Sequence, residues 1–390
     1  MLTTDGHQAS NCKEGAVFVK STMFTGSVIL LAGALLALPF ATAVAGKTPG
    51  GTAIRVEDLG KPAGSVRSAA GAINDAGNVV VGWAYFDATL EYRNNNYAAR
   101  WTRSSGSGAW QPEDLRPLLP MHKNSYATLV NNAGTVVISA EFLDSTNHGF
   151  VIASAGQTLE LGPGETVYDL DESDQMIGSR RDPSQALPDQ PLFWASPSGP
   201  VAELPVIQSG FGGQARWFQG VTILGTLADD SGGWLVQWSK VDGQWIVTRL
   251  QKLPSFDLTG VGPDGRLAFM HCTGPRYFQQ TVIGCDWRAA AWDPPYDGVP
   301  TYLPNLAGTY SWTGGVMDDG TVLGLTVASN GIDMLPVLWP APTTLVKLPL
   351  LAGGKSGGTG GFNAYRQIAG YVDVPVKGRS TYHAVVWTLP

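Results

Sequence analysis

Residues 72–82 read Ala-Ile-Asn-Asp-Ala-Gly-Asn-Val-Val-Val-Gly, and this stretch decides the fold because its pattern recurs along the chain. An Asn-Asp pair with a glycine three residues after the Asn, followed by β-branched residues, is typical of a tight hairpin between two strands. A third strand follows and ends on Trp101, and a short fourth strand ends on Leu115. The stretch therefore predicts one four-stranded antiparallel unit.

The hairpin turn recurs with small variations. Further copies lie at residues 130–137, 170–178, 217–221, 261–267, 316–324 and 362–370, of which the copy at 217–221 is degraded. Asp174 and Arg366 stand where the other turns have glycine, so these two turns are expected to differ or to carry backbone strain. We interpret the Asn and Asp side chains of the turns as caps rather than as calcium ligands.

The ends of the third and fourth strands recur as well. The third strands end on a large apolar residue: Trp101, Ile152, Trp194, Trp238, Trp292, Trp339 and Trp387. The residues before these positions are apolar without strict alternation, which is typical of strands buried on both faces. The tryptophans are therefore predicted to be wedges between packed sheets. The fourth strands are predicted to end on Leu115, Leu161, Leu204, Leu250, Leu303 and Leu348.

The last unit has no fourth strand, because the chain ends just after Trp387. Residues 52–60 are a fourth strand without a unit before it, and Glu57-Asp58-Leu59 repeats Glu113-Asp114-Leu115. Seven units over residues 46–390 have about 49 residues each, which is the size of a propeller blade. We predict an all-β, seven-bladed β-propeller of four-stranded blades, closed by the N-terminal strand. A two-sheet arrangement of the repeats is the alternative, and it leaves the first strand unexplained.

The first 45 residues are interpreted as a signal peptide. Residues 28–38 are apolar, and Ala43-Val44-Ala45 resembles a cleavage site. An uncleaved membrane anchor is the alternative, but Pro39 favours cleavage. Residues 46–51 are predicted to be a flexible leader, and residues 52–390 one propeller domain. The mature protein is expected to be secreted, periplasmic or at the cell surface, without stable membrane insertion.

The repeat resembles the HAF-repeat family of extracellular bacterial proteins. The Ile-Asn-Asp-x-Gly-x-Val-Val-Gly segment carries this resemblance, together with the strands at His148-Gly149-Phe150 and His383-Ala384-Val385-Val386-Trp387. Elsewhere the histidine position holds other residues. The resemblance covers essentially the whole mature chain and implies an exported bacterial repeat protein. It implies no particular activity.

Composition excludes some classes of function. The net charge is −7 and there is no run of Lys or Arg, so a nucleic-acid partner is not expected. The chain has no His or Cys pair with zinc spacing, and no cofactor or metal site is predicted. Cys272 and Cys285 are the two cysteines of the mature chain, and we predict a disulfide between them because an exported protein is oxidised.

The loops between second and third strands are long and differ from blade to blade, whereas the first turns are uniform. Variable loops on a repeated scaffold are where binding residues concentrate. The residues predicted to contact a ligand are Tyr85, Arg93, Arg181, Tyr277 and Arg379. We predict a binding module for a glycan, a peptide or an envelope partner. A secreted carbohydrate-active or other hydrolytic enzyme, with two carboxylates over the central channel, is the alternative, and a purely structural role is the third possibility.

Overall fold

The structure of the protein is a computed structural model. It describes residues 53–86, 95–103, 108–181, 189–207, 212–229, 232–253, 257–278, 281–296, 298–306, 310–376 and 379–390. For residues 229, 275–278 and 281–285 it describes the backbone alone. The predicted signal peptide and leader lie outside the described residues. In the described part of the chain, no helix is long and apolar enough to cross a membrane.

Strands account for nearly all regular structure in these residues, with one short 3-10 helix at Arg116–Leu118. The first strand of the chain is β1 (Arg55–Asp58). The others are β2 (Arg67–Ile73), β3 (Val79–Tyr85), β4 (Asn96–Thr102), β5 (Gln111–Asp114), β6 (Asn124–Val130), β7 (Val136–Glu141), β8 (Asn147–Ile152), β9 (Thr158–Glu160), β10 (Glu165–Leu170), β11 (Met176–Arg180), β12 (Gln190–Trp194), β13 (Val201–Glu203), β14 (Gly212–Gln219), β15 (Thr222–Asp229), β16 (Gly232–Val241), β17 (Gln244–Lys252), β18 (Asp257–Val261), β19 (Leu267–Phe278), β20 (Thr281–Trp292), β21 (Thr301–Tyr302), β22 (Ser311–Val316), β23 (Val322–Val327), β24 (Met334–Ala341), β25 (Thr344–Lys347), β26 (Ser356–Phe362), β27 (Gln367–Asp373) and β28 (Tyr382–Thr388).

These strands form seven four-stranded antiparallel sheets, the blades of a β-propeller. Blades 1 to 6 are the consecutive meanders β2–β5, β6–β9, β10–β13, β14–β17, β18–β21 and β22–β25. Blade 7 has the order β1-β28-β27-β26, so the N-terminal strand is its outermost strand. Arg55 lies opposite Thr388 and Asp58 opposite Val385. The predicted seven-bladed propeller and its closure by the N-terminal strand are confirmed.

The hairpin turns adopt the backbone conformation that the glycine pattern predicted. Gly77 has φ of 67°, and Asp174 and Arg366 have φ of 62° and 61°, so the two non-glycine turns do carry a left-handed residue. The Asn74 side-chain oxygen caps its turn by accepting the N–H groups of Asn78 and Val79. Side chains in these turns are therefore occupied with holding the hairpin.

Neighbouring turns are also bonded to each other. Asp75 of blade 1 accepts the backbone N–H of Ala364 from blade 7, at 3.2 Å. Asn132 of blade 2 accepts the N–H of Ala76, at 2.6 Å, and Glu172 of blade 3 accepts the N–H of Asn132, at 2.8 Å. The turns thus form a chain of hydrogen bonds around part of the ring, which includes the point of closure between blades 7 and 1.

The tryptophans at the ends of the third strands are buried wedges, as predicted. Trp101, Trp238, Trp339 and Trp387 are fully buried. Each indole N–H donates to a backbone carbonyl in the connection that leads from the preceding fourth strand, for example from Trp101 to Gly60 and from Trp387 to Pro349. A single side chain therefore fills the space between two blades and satisfies its one polar atom there.

The leucines at the ends of the fourth strands are buried, with one correction. Leu115, Leu204 and Leu303 are at most 1% exposed, but Leu250 is 45% exposed. The residue in the buried position of blade 4 is Leu253, which is 9% exposed and whose N–H donates to Gly233. The prediction for Leu250 was wrong because β17 is longer than other fourth strands and pairs with β16 through a register shift.

The first strand of each blade lies innermost, because first strands of neighbouring blades pack against each other around the axis. Each of them contains a β-bulge at the same place in the strand. The residues at the bulges are Gly71, Thr128, Tyr168, Arg216, Thr259, Gly314 and the pair Gly360-Gly361. Glycine and threonine occupy this position in five blades, whereas blades 3 and 4 have large polar side chains there.

Candidate functional site

The strand ends that lead into the variable loops between second and third strands lie on one face of the ring, together with the strand ends joined by the connections between blades, and we call it the second-loop face. Of the residues predicted to bind a ligand there, Arg181 and Arg379 have exposed side chains. Tyr85 is the last residue of β3 and is only 4% exposed. Arg93 lies outside the described residues, and Tyr277 belongs to the part of β19 of which the backbone alone is described.

A group of aromatic residues surrounds a guanidinium at this face, and we call it the Arg67 cluster. The guanidinium carbon of Arg67 lies 4.4 Å from the ring centroid of Tyr85 and 5.9 Å from that of Tyr382. The Trp83 ring meets the rings of Tyr382 and Tyr126 edge-on, at 6.3 and 6.5 Å. These residues come from blades 7, 1 and 2, so the ring closure itself brings them together.

The strand directions explain why this cluster opens on the second-loop face. Arg67 and Tyr382 are the first residues of β2 and β28, and Tyr85 is the last residue of β3. Tyr85 and Tyr382 lie at strand ends that carry second loops, and Arg67 lies at the end of β2 that follows the connection between blades, so all three are on this face. Tyr85 and Tyr382 are buried, so they form a rigid base under Arg67. In the described part of the chain, the Arg67 guanidinium makes no ion pair and no side-chain hydrogen bond. Its donors are therefore available to an anion.

A second group, the Arg216 cluster, lies at the bulges of blades 3 and 4. Nε and Nη2 of Arg216 donate to the side-chain oxygen of Gln214, at 2.9 and 2.6 Å. The Tyr168 ring lies 5.2 Å from the guanidinium carbon, and the Tyr168 hydroxyl is 3.2 Å from that of Ser179. The Gln214 amide in turn donates to Asp189, at 3.2 Å. Gln214 therefore links the guanidinium to a carboxylate without bringing the two charges into contact.

Burial and charge shift the titration of several groups in this cluster. Burial raises the pKa of Tyr168, and the nearby charges of Arg216 and Arg181 oppose that shift. Burial also lowers the pKa of Arg216, against the attraction of Asp257 in blade 5. The pKa of the Asp257 carboxyl is raised by desolvation and lowered in part by Arg216. Asp257 is nevertheless open to solvent. The predicted residue Arg181 thus lies within electrostatic reach of Tyr168.

Other buried acids near the axis serve the scaffold. The Asp169 carboxylate accepts the N–H of Phe218, at 2.8 Å, and so joins blade 3 to blade 4. Burial raises its pKa to about 6. Glu165 is 8% exposed and is held by Arg180, at 2.8 Å. These two carboxylates already have partners within the protein.

The paired histidines are in structural positions. Nδ1 of His148 lies 2.5 Å from Glu160, and Nδ1 of His383 lies 2.8 Å from Asp58. Each pair joins a third strand to the neighbouring fourth strand. Among the described residues, no group of three or more His, Cys, Asp or Glu side chains is arranged to hold a metal ion.

The predicted disulfide stays a prediction. Cys272 and Cys285 lie on β19 and β20, which pair with each other, and Cys272 is opposite Trp287 while Cys285 is opposite Pro275. The pairing is irregular between these two positions. The side chain of Cys285 lies outside the described side chains. The backbone therefore places both cysteines in one hairpin, a few residues apart in register.

Sequence reasoning missed Arg67, Trp83 and Arg216. Arg67 lies beside the Tyr382 ring, which is more than 300 residues later in the chain, so no local sequence pattern predicts the contact. Arg216 lies beside the degraded turn of blade 4, at a position where most other blades have glycine or threonine. That departure from the repeat was the available signal, because repeat positions with a common structural role rarely change from glycine to arginine.

No family model and no curated protein match this chain. Solved structures resemble it in fold. The β-propeller domain of the Trilobed protease from Pyrococcus furiosus has 10% identity and a TM-score of 0.49, over 82% of this chain and 95% of that one. A prolyl endopeptidase has 12% identity and a TM-score of 0.50, over 83% of this chain but 51% of that one. TolB from Acinetobacter baumannii has 10% identity and a TM-score of 0.42, over 81% and 65% of the two chains. This chain thus spans about half the length of the prolyl endopeptidase. At these identities the likeness shows the propeller fold alone.

Proposed function

We propose that this protein is an exported binding module that recognises an anionic partner, a glycan, peptide or envelope component, at its second-loop face. The Arg67 cluster carries the proposal. Its guanidinium is stacked on Tyr85 at 4.4 Å and has no carboxylate partner among the described residues. A guanidinium held over a buried ring presents its N–H donors in a restricted geometry, which favours recognition of a carboxylate, sulfate or phosphate group.

The charge distribution supports an anionic partner. The protein has a net charge of −7, so a long-range attraction to anions is not expected from its total charge. Arg67, Arg181 and Arg379 belong to the second-loop face, and the side chains of Arg181 and Arg379 are exposed. Exposed arginines on an acidic protein attract anions locally. The resemblance to HAF-repeat proteins supports export and adds nothing on the partner.

Binding of the partner should depend on Arg67. The mature chain is used to capture ligands from an acidic-glycan array and from the secretome, and the strongest ligand is then titrated against variants. Arg67→Ala should weaken binding by at least about tenfold, because a charge-assisted pair is lost. The matched control is Arg100→Ala in the same blade, since Arg100 is engaged by Glu113 at 2.7 Å on the outer side of the blade. Equal affinity of Arg67→Ala and wild type would remove the proposal.

The two faces of the ring can be compared in the same assay. A double variant Arg181→Ala/Arg379→Ala should weaken binding, because both side chains are exposed on the second-loop face. The control is Asp75→Ala/Asp319→Ala in the hairpin turns of the opposite face. Loss of binding in the control pair alone would show that the ligand is bound at the turns.

A hydrolytic enzyme is the second candidate, and one observation favours it. The pKa of the Asp257 carboxyl is raised by desolvation, and a carboxyl group with a raised pKa is a candidate for acid-base catalysis. Incubation with acidic and neutral polysaccharides, followed by analysis of released ends, tests this role. Turnover that disappears in Asp257→Asn, with ligand binding retained, would favour the enzyme over the binding module.

A further inference from the structure

The outermost strand of blade 4 is unlike those of the other blades. β17 has nine residues, whereas the fourth strands of the other six blades have two to four. It lies at the end of its sheet, and in the described part of the chain it pairs with β16 alone. Short outer strands are one way in which proteins keep a sheet edge from pairing with another chain. Blade 4 lacks this protection, so its edge is long enough to accept a further strand.

The hairpin turn determines which backbone groups of β17 face outward. Asp242 and Gly243 have φ of 50° and 80°, which is typical of a two-residue turn of type I′. Such a turn is flanked by a hydrogen-bonded pair, and bonded and non-bonded pairs then alternate along the hairpin. The register of β16 and β17 is regular from the turn to Arg249. The N–H and C=O groups of Trp245, Val247 and Arg249 therefore point away from β16, towards the open edge.

The two faces of β17 differ in chemistry. On one face the Trp245 ring packs on Phe193 of blade 3, with 5.1 Å between the ring centroids, and the Lys240 ammonium lies 5.7 Å from the same Trp245 ring. Because side chains alternate along a strand, Ile246 lies on the opposite face, and it is 46% exposed. An incoming strand would therefore meet cations on one face of the sheet and an apolar side chain on the other.

The face towards blade 3 is basic. Arg249 and Lys252 lie over the ring of Trp234, at 4.7 and 5.8 Å, and Trp234 packs on the core between blades 3 and 4. Among the described residues, neither Lys252 nor Lys240 has an ion-pair partner. β16 and β17 contain no acidic residue, and the turn between them contributes one, Asp242. The outer strands of blades 1, 2, 3 and 7 all contain acidic residues, so blade 4 supplies a local basic edge on an acidic rim.

We propose that the open edge of β17 binds an extended segment of a partner protein in which acidic and apolar residues alternate. The segment adds a fifth strand to blade 4 and forms backbone hydrogen bonds with Trp245, Val247 and Arg249. Its acidic side chains lie on the face that carries Lys240, and its apolar side chains lie beside Ile246. This surface is on the outer rim of the ring, so the proposal does not depend on the anion binding proposed for the second-loop face.

Charge favours an acidic partner over a second copy of this chain. If two copies of β17 paired in antiparallel fashion around Thr248, the Arg249 and Lys252 side chains of both strands would share one face and repel each other. Two copies also repel each other through their net charges of −7. Lysines on an edge strand discourage pairing between identical edges, and the same lysines attract an acidic strand.

The test uses the full mature chain and labelled peptides as long as β17. One peptide alternates glutamate with valine, a second alternates lysine with valine, and a third has the composition of the first with its glutamates in one block. Fluorescence anisotropy should show saturable binding of the first peptide, with the other two at least about tenfold weaker. No binding of the first peptide at about 1 mM, or equal binding of the first two, overturns the proposal. Sedimentation that shows a dimer dissociated by Ile246→Lys, without peptide binding, would assign the edge to self-association and also overturn it.

Charge reversal locates the site. Lys240→Glu/Lys252→Glu should weaken binding of the glutamate peptide by at least about tenfold and strengthen binding of the lysine peptide, which misfolding would not do. The matched control is Lys347→Glu/Lys355→Glu, which changes the net charge equally at exposed lysines of blades 6 and 7. An unchanged preference in the blade 4 variant, or the same change in both variants, overturns the assignment.

A proline substitution tests the backbone contacts. Val247→Pro removes an N–H that faces outward, and proline is tolerated in edge strands on that side. Binding of the glutamate peptide should weaken by at least about fivefold relative to Val247→Ala, which keeps the N–H and also truncates the side chain. Equal affinities of the two variants would show that the peptide is not held by strand pairing, and would overturn the proposal.

Discussion

Removing one buried side chain from the N-terminal strand tests how the ring is closed. Leu59 follows β1, is 2% exposed and packs in the core between blades 7 and 1 with Trp101 and Val386. Its backbone N–H donates to Ala384, at 2.9 Å. Leu59→Ala keeps this hydrogen bond and removes the apolar contacts alone. The variant therefore measures the contribution of side-chain packing to closure.

The expected loss follows from burial. Fully burying a leucine contributes about 1.5–3 kcal/mol, and the cavity left by truncation adds to that, so Leu→Ala changes in cores cost about 2–5 kcal/mol. Because Leu59 is almost fully buried, we expect about 3 kcal/mol. With a urea m-value of about 3 kcal/mol/M for a large domain, the unfolding midpoint should fall by about 1 M.

Two leucines of blade 4 provide matched controls. Leu250 is 45% exposed, although the repeat pattern places it in the same position as Leu59, and Leu250→Ala should change stability by less than about 0.5 kcal/mol. Leu253→Ala should behave like Leu59→Ala, because Leu253 is 9% exposed. Urea unfolding of all three variants is followed by tryptophan fluorescence. A midpoint for Leu59→Ala within about 0.2 M of wild type, or equal losses for Leu250→Ala and Leu59→Ala, would refute the reasoning.

Three further predictions concern single interactions. Burial raises the pKa of Asp58, but the hydrogen bonds from His383 and from the Gly60 N–H outweigh it and lower the folded pKa. The stabilisation by Asp58 is therefore complete above the unfolded value of about 4 and is lost as pH falls through the folded pKa, so the difference in unfolding midpoint between wild type and Asp58→Asn should vanish in acid. Trp387→Phe removes the indole bond to Pro349 and should cost at least about 1 kcal/mol in urea unfolding, more than the same change at the half-buried Trp245. Mass spectrometry of the non-reduced mature chain should find Cys272 and Cys285 joined, and two alkylatable thiols would contradict this.

Much of the architecture could be read from local patterns. The turn at residues 74–78 has its side-chain cap and its left-handed glycine within five residues, so a short stretch of sequence contains the whole structural cause. The burial of Trp101 and of its counterparts follows from the repetition of one large residue at one position. Closure of the ring could be predicted because the chain begins with a fourth strand that belongs to no preceding unit, and its last unit lacks a fourth strand.

Two features of the scaffold could not be predicted from these local sequence patterns. A β-bulge in every first strand is set by how neighbouring strands pair, and pairing register is decided between strands rather than along one of them. The same cause moved the buried leucine of blade 4 from Leu250 to Leu253, because the register shift in β16 and β17 changes which residue reaches the core. Both features depend on contacts between segments.

The sequence by itself determined the number of blades, the turns, the wedges and the strand that closes the ring, because each repeats with a fixed period or completes a repeated unit. Only the tertiary structure decided which polar residues meet. Arg67 reaches Tyr382 across the closure, and Arg216 lies beside Tyr168 of one blade and within the field of Asp257 of the next. The physical reason is that a propeller repeats its scaffold but not the residues at its axis, and those residues come together through the ring geometry, from positions far apart in the chain.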